Sequence, residues 1–265
     1  MESKYFQKTF RPNIVNGDVS TVIASNKADA PFGSNDLLFD WQALDIPKGT
    51  YGIVDLTCHS YGEDGGTQVG GDFNLLFAKS NNGVAPTSLG AVNAVPTTCF
   101  ELPDILMARV KVEGTTHGQG VARIGGHLGN LWDFNRGGGN SRVGPIVIEP
   151  ELNFFTDDSS TNRIYVAGLC GAQAFDFSTG VLLNDASDVA NDAGTSLTVD
   201  GVDPRKAFRA GDTVYIHDVD TPIGTIASMT GESIVLTSNN VGAIADNDEF
   251  VNERPMTITV GFIGN

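Results

Sequence analysis

Residues 254–265 (RPMTITVGFIGN) constrain the fold more than any other stretch of this chain. Met256, Ile258, Val260 and Phe262 alternate with Thr257, Thr259 and Gly261, the period of two that sends successive side chains to opposite faces of a strand. An α-helix would scatter these apolar residues around its circumference. The stretch resembles the strand-like pieces of the first 180 residues, yet it follows a segment of different texture, residues 185–254. The chain is therefore expected to leave one β-domain, build a second small one, and return to complete the first.

Composition supports an all-β reading. Charged residues are only 18% of the chain, and 32 glycines, with abundant Ser, Thr, Asn and Asp, take their place as turn-formers between short strands. Net charge is −16, and the sparse lysine and arginine exclude a phosphate-tracking surface, so neither nucleic acid nor an anionic membrane is expected as a partner. The acidity fits solubility and mutual repulsion at high concentration. Cys58, Cys99 and Cys170 each sit in apolar, strand-like surroundings and are expected to be buried free thiols, with one disulfide plus one thiol as the alternative. The opening MESKYFQKTF holds no continuous apolar run of signal-peptide length, and no segment approaches a transmembrane span; synthesis and folding in a reducing cytoplasm are expected.

Along the chain, residues 1–17 are locally basic, with Lys4, Lys8 and Arg11 interleaved with Tyr5, Phe6 and Phe10. This is either a first strand packed on its own domain or an adhesive arm, and in both cases something should cover the aromatic rings. Residues 32–48 read as loop and short extended pieces anchored by Trp41. A strand is expected at 50–60 with Val54, Leu56 and Cys58 on one face, and another at 72–80 with Phe73, Leu75 and Phe77 together, the two pairing as a hairpin. Within 100–113, Leu106, Ala108, Val110 and Val112 point inward and Arg109 and Lys111 outward. Residues 114–142 are glycine-rich with Trp132 and Phe134 embedded, which suggests bulged strands and a long loop. Strands are also expected at 144–150 and 163–177.

Residues 185–254 carry thirteen acids against four bases. Five short strands, at 196–200, 212–218, 223–229, 233–238 and 249–251, fit a small SH3-like or OB-like barrel. The expected architecture is thus a β-sandwich, jelly-roll-like, formed by 1–184 plus 255–265, with the barrel of 185–254 inserted before the last strand.

No catalytic constellation emerges. There is no phosphate-cradling G-x-x-x-x-G-K-[ST] and no G-x-S-x-G, and Gly118 and Gly120 open no helix. His59, His117, His127 and His217 are scattered without zinc-ligand spacing. The acidic run 246–249 lacks calcium-loop spacing and reads as a solvated turn, and Asp157 with Asp158 reads as Asx-turn chemistry. No cofactor, no metal and no catalytic residue are expected.

Residues 208–248 run through FRAGDTVYIHD, PIGTIASM, SIVLT and ADND. This resembles small β-barrel modules inserted in structural proteins of tailed bacteriophages, through the Gly-Asp turn before a strand, the G-T-I strand and the I-V-L-T strand. The resemblance implies a non-enzymatic capsid decoration (cement) protein, made in the host cytoplasm and carried on the virion surface. Its implied partners are the major capsid protein and further copies of itself, a trimer being favoured. The adhesive candidates are then Tyr5, Phe6, Phe10, Trp132 and Phe134, with the barrel projecting outward. A tail-tube or fibre-adaptor protein is the neighbouring reading, and a carbohydrate-binding or glycan-degrading sandwich the reading from another class.

Overall fold

In the computed structural model, the described residues are 4–14, 32–47, 49–60, 73–80, 84–96, 105–112, 121–123, 146–148, 161–171, 177, 179–184, 189–217, 219 and 221–264. They form fifteen strands and one short 3-10 turn at Pro204–Lys206, an all-β architecture. The strands are β1 (Tyr5–Phe10), β2 (Leu37–Pro47), β3 (Tyr51–Ser60), β4 (Phe73–Lys79), β5 (Leu106–Val112), β6 (Val121–Arg123), β7 (Ile146–Ile148) and β8 (Thr161–Cys170). They continue as β9 (Val181–Leu183), β10 (Ser196–Gly201), β11 (Thr213–Ile216), β12 (Pro222–Met229), β13 (Ser233–Leu236), β14 (Phe250–Asn252) and β15 (Met256–Gly264).

The last strand organises the first sheet, whose order is β1-β15-β3-β6 with β7 also pairing β3. Its alternation is realised as expected: Met256, Ile258, Val260 and Phe262 are fully buried. A second sheet, β2-β8-β4-β5, faces the first. Phe39, Phe73, Leu75, Phe77, Val110, Val112, Ile164 and Val166 from the second sheet share one apolar cluster with the β15 residues and with Ile53, Leu56 and Cys58. Each such side chain contributes about 1.5–3 kcal/mol by leaving water, so this cluster is what holds the sandwich together.

Several local readings are corrected. β3 and β4 are not a hairpin; they lie in different sheets, β4 pairing with β8 and β5. The reason is that β4 is apolar on both faces: Leu76 and Ala78 are buried beneath the 84–96 segment and Ile105 on the outer side. A strand covered twice belongs inside a sheet rather than at a hairpin edge. In β3 a bulge at Val54 lets Ile53 pair with Phe262 while Asp55 pairs with Gly261. Ile53 therefore joins Leu56 and Cys58 in the core, and Val54 is half-buried. A similar irregularity in β5 carries Leu106 to the outer cluster and packs Met107 on the main core. Residues 37–47, within the stretch expected as loop and short extended pieces, form the single eleven-residue β2, whose two register shifts against β8 erase the alternation that would reveal it. Trp41 is an anchor there: its Nε1 donates to the Thr87 carbonyl at 3.0 Å. Gly168 is placed by close approach, since a Cβ at this position would lie 2.3 Å from the Phe39 ring.

The third sheet has the order β14-β11-β12-β13-β10-β9. The Leu182–Glu249 bridge, with the Leu183 N–H donating to the Asp248 carbonyl at 2.9 Å, brings β9 beside β14 and nearly closes it into a barrel. Val181, Leu183, Leu197, Val199, Phe208, Val214, Ile223, Ile234, Leu236 and Phe250 fill it. The barrel uses six strands rather than five, because Val181–Leu183, ahead of the boundary expected at 185, contributes one side of the closure.

Candidate interaction surface

Exposed side chains among the described residues mark the outer face of the first sheet, the junction with the barrel and the far end of the barrel, and also the second sheet, where Val84 and Val95 are exposed and Arg163 pairs with Asp45.

β1 alternates exposed and half-buried residues, as a strand with one covered face must. Phe6 stacks on Phe262 with centroids 5.1 Å apart and meets the edge of Tyr51 at 5.0 Å, while Phe10 meets Phe39 at 6.4 Å. Both rings are thus held by their own domain, the strand reading rather than the free-arm one. Tyr5 stays 55% exposed. Its ring lies across Gly261, where a Cβ would stand 3.0 Å from the phenol oxygen, and the Gln7 Nε2 donates to that oxygen at 2.6 Å. In register behind it, the Thr9 and Thr259 hydroxyls are 2.8 Å apart, with Thr57 next across the sheet. The outer face is therefore hydroxyl-rich and capped by one aromatic ring. Trp132 and Phe134, the other adhesive candidates, lie outside the described residues, as do Cys99, His117, His127, Asp157 and Asp158.

The Gly264 N–H donates to the Lys4 carbonyl at 2.8 Å. The antiparallel alternation that follows turns the peptide groups of Phe6, Lys8 and Phe10 toward β15 and those of Tyr5, Gln7 and Thr9 away from it. Among the described residues no strand pairs with that outer edge.

Just beyond β1 the chain reaches the barrel. The Arg11 guanidinium makes a bidentate pair with the Asp212 carboxylate and donates to the Arg254 carbonyl at 2.6 Å. Asp212 is 3% exposed. It also accepts from the Arg209 N–H at 2.7 Å and the Asn252 Nδ2 at 2.9 Å. A nearly buried carboxylate is stable only with such a full set of donors. The Ile14 N–H donates to the Glu253 carbonyl at 3.0 Å, and the Glu249 carboxylate accepts from the N–H groups of Thr179 and Gly180 at 2.6 and 2.8 Å. Entry and exit of the barrel are thus pinned side by side. Sequence reasoning missed this junction because its partners are 201 residues apart and form no motif.

The charges of the barrel segment are sorted along its axis. Arg205, Lys206, Arg209 and Arg254, all of its bases, lie at the sandwich end or in the turn leading to β11. Among the described residues, the connections at the opposite end carry Asp192, Asp246 and Asp248 and neither lysine nor arginine. Asp248 spends an oxygen on the Ala245 N–H at 2.7 Å, and Asn247 adopts φ 65°, so the 245–248 run is a tight turn. No group of three metal-ligating side chains occurs among the described residues. Burial pushes the Cys58 thiol well above its ordinary range, which makes it a packing group rather than a nucleophile, and Cys170 is likewise buried, its sulfur donating to the Phe32 carbonyl at 3.7 Å. Among the described residues no helix is long and apolar enough to cross a membrane.

Comparison with protein-family models and with curated protein sequences returns no match for this chain.

Proposed function

We propose that this protein is a non-enzymatic structural component of a tailed-phage virion, a capsid decoration protein that self-associates on the shell and stabilises it. The observation that carries this reading is the sorted charge of the barrel. One end is fastened to the sandwich through Arg11 and Asp212, and the connections at the other end are acidic without compensating bases. A body that presents one face to a lattice and an anionic tip to solvent adheres on one side and repels neighbouring particles on the other. The outer face of the first sheet, with Tyr5 and its threonine rows, supplies an adhesive surface of the kind a lattice contact needs.

The test has two arms. Light scattering on the purified protein is expected to give a discrete closed oligomer, a trimer in the simplest case. Mixing with shells of the major capsid protein is expected to carry the chain down with them in a sedimentation assay. A monomer that stays in the supernatant, or turnover of an oligosaccharide in a glycan screen, overturns the reading.

A further inference from the structure

The N-terminal strand is held mainly by residues distant from it in sequence. Among the described residues its backbone pairs with β15 alone. Phe6 rests on Phe262 and Tyr51, Arg11 is held by Asp212 and the Arg254 carbonyl, and Ile14 by the Glu253 carbonyl. Apart from Tyr51 and the ring contact of Phe10 with Phe39, these partners all come from residues 212–264. The segment is therefore a plug whose backbone and polar partners come from the far end of the sequence, while Phe6, Phe10 and Ile14 pack on the sandwich core. The chain that joins the plug to its own sandwich, residues 15–31, then meets a fixed point: Phe32 is fully buried, its ring 5.6 Å from Phe177 and its carbonyl oxygen 3.7 Å from the Cys170 sulfur.

We propose that residues 4–14 are an exchangeable arm, and that the seat on β15 and the barrel base accepts the same segment from a second copy of this chain. Seventeen residues of connection, at roughly 3.3 Å each when extended, span about 55 Å. The radius of gyration expected for a folded chain of this length is about 18 Å, so the connection reaches the seat of an adjoining molecule. Exchange reproduces every strand pair, ring contact and ion pair of the closed chain, which makes it a low-cost route to an oligomer governed by concentration. The seat also selects for this arm: the Arg11 cation enters a pocket that offers Asp212 and the Arg254 carbonyl, the Ile14 N–H meets the Glu253 carbonyl, and the aromatic spacing of Phe6 and Phe10 matches the sites beside Phe262 and Phe39. The inference rests on the self-association contained in the proposed function and adds which segment passes between copies.

The register supplies the test. Thr9 stands opposite Thr259 in a non-hydrogen-bonded pair, with hydroxyl oxygens 2.8 Å apart, the close cross-strand geometry that suits a disulfide. Full-length Thr9→Cys and Thr259→Cys chains, each also carrying Cys99→Ser and distinguished by a mass tag, are mixed at a concentration where light scattering reports assembly and are then oxidised. A covalent heterodimer as the main product on non-reducing gels is expected, identified by its mixed mass, because the two cysteines meet only when arms cross between molecules. The double variant Thr9→Cys/Thr259→Cys controls for geometry, and Tyr5→Cys with Ile263→Cys repeats the experiment on a second facing pair. Oligomers in the scattering data with disulfides confined to single chains overturn the exchange and leave the self-association standing. Monomers at every concentration, with disulfides closed within one chain, overturn both.

Discussion

The sandwich and the barrel solve the same problem with opposite use of the chain. The barrel draws its core from an unbroken run, Val181 to Phe250, and all its strands lie within that one continuous stretch and its immediate end. The sandwich draws its core from Ile14 through Phe177 and then again from Met256 to Phe262, so its central strand arrives last. Contacts local in sequence require less loop closure before they reward the chain, and distant ones require more. The barrel can form as soon as its own residues exist, whereas the first sheet must wait for β15. The difference teaches why an insertion of this size is tolerated: its two ends, clasped through Leu182, Glu249 and Thr179, return the chain to nearly the place it left.

The sharpest way to break this comparison is to remove residues 256–265. That deletion takes four fully buried side chains and the partner of both β1 and β3. The sandwich is expected to lose its fold while the barrel persists as a protease-resistant fragment spanning about residues 179–253, identified by mass spectrometry. Digestion of the entire chain at one rate would show that the barrel depends on the sandwich. A smaller effect is expected from Asp212→Ala, which leaves Arg11, the Arg209 N–H and the Asn252 amide without their shared acceptor. A loss of about 3 kcal/mol in urea unfolding is expected, with barrel and sandwich transitions moving apart. A change below about 0.5 kcal/mol would mean the junction couples nothing.

The smallest effect concerns the barrel alone. The hydrogen bond from the Arg205 side chain, helped by its own N–H and charge, lowers the Asp203 carboxyl from an ordinary 3.8 to about 2. A carboxyl depressed by folding stabilises above its ordinary range, and that contribution fades as pH falls through about 2. The pair is exposed to solvent, so the stability change is slight and the direct reading is a carboxyl NMR titration. Arg205→Gln is expected to move the Asp203 midpoint back up toward the ordinary value, and an unmoved midpoint would assign the depression to another cause.

What was legible in the sequence follows the same divide. β15, β4 and five of the six barrel strands announce themselves through unbroken apolar alternation or short apolar runs between turn residues. Val54, Leu106 and the whole of β2 do not, because a bulge shifts the period by one residue and turns the pattern to the opposite face. Strand partners were illegible for another reason: adjacency in sequence suggested a β3–β4 hairpin, whereas burial of both β4 faces sends it to the second sheet. In the candidate surface, the rings of Tyr5, Phe6 and Phe10 were visible as residues that need cover. Which of them receives it depends on β1 docking on a strand 250 positions away. The Arg11–Asp212 pair is a tertiary fact with no local signature at all.

The antiparallel register of β1 and β15 also decides how the molecule answers to tension. Lys4 and Gly264 sit side by side at one end of the pair. A pull applied at these two points loads the hydrogen bonds one rung at a time, from Tyr5 toward Phe10, like opening a zipper. The strands yield in sequence instead of resisting together in shear. The Arg11 clamp and, behind it, the Ile14 bond to the Glu253 carbonyl feel the load only after the strand has opened, so they set where peeling stops.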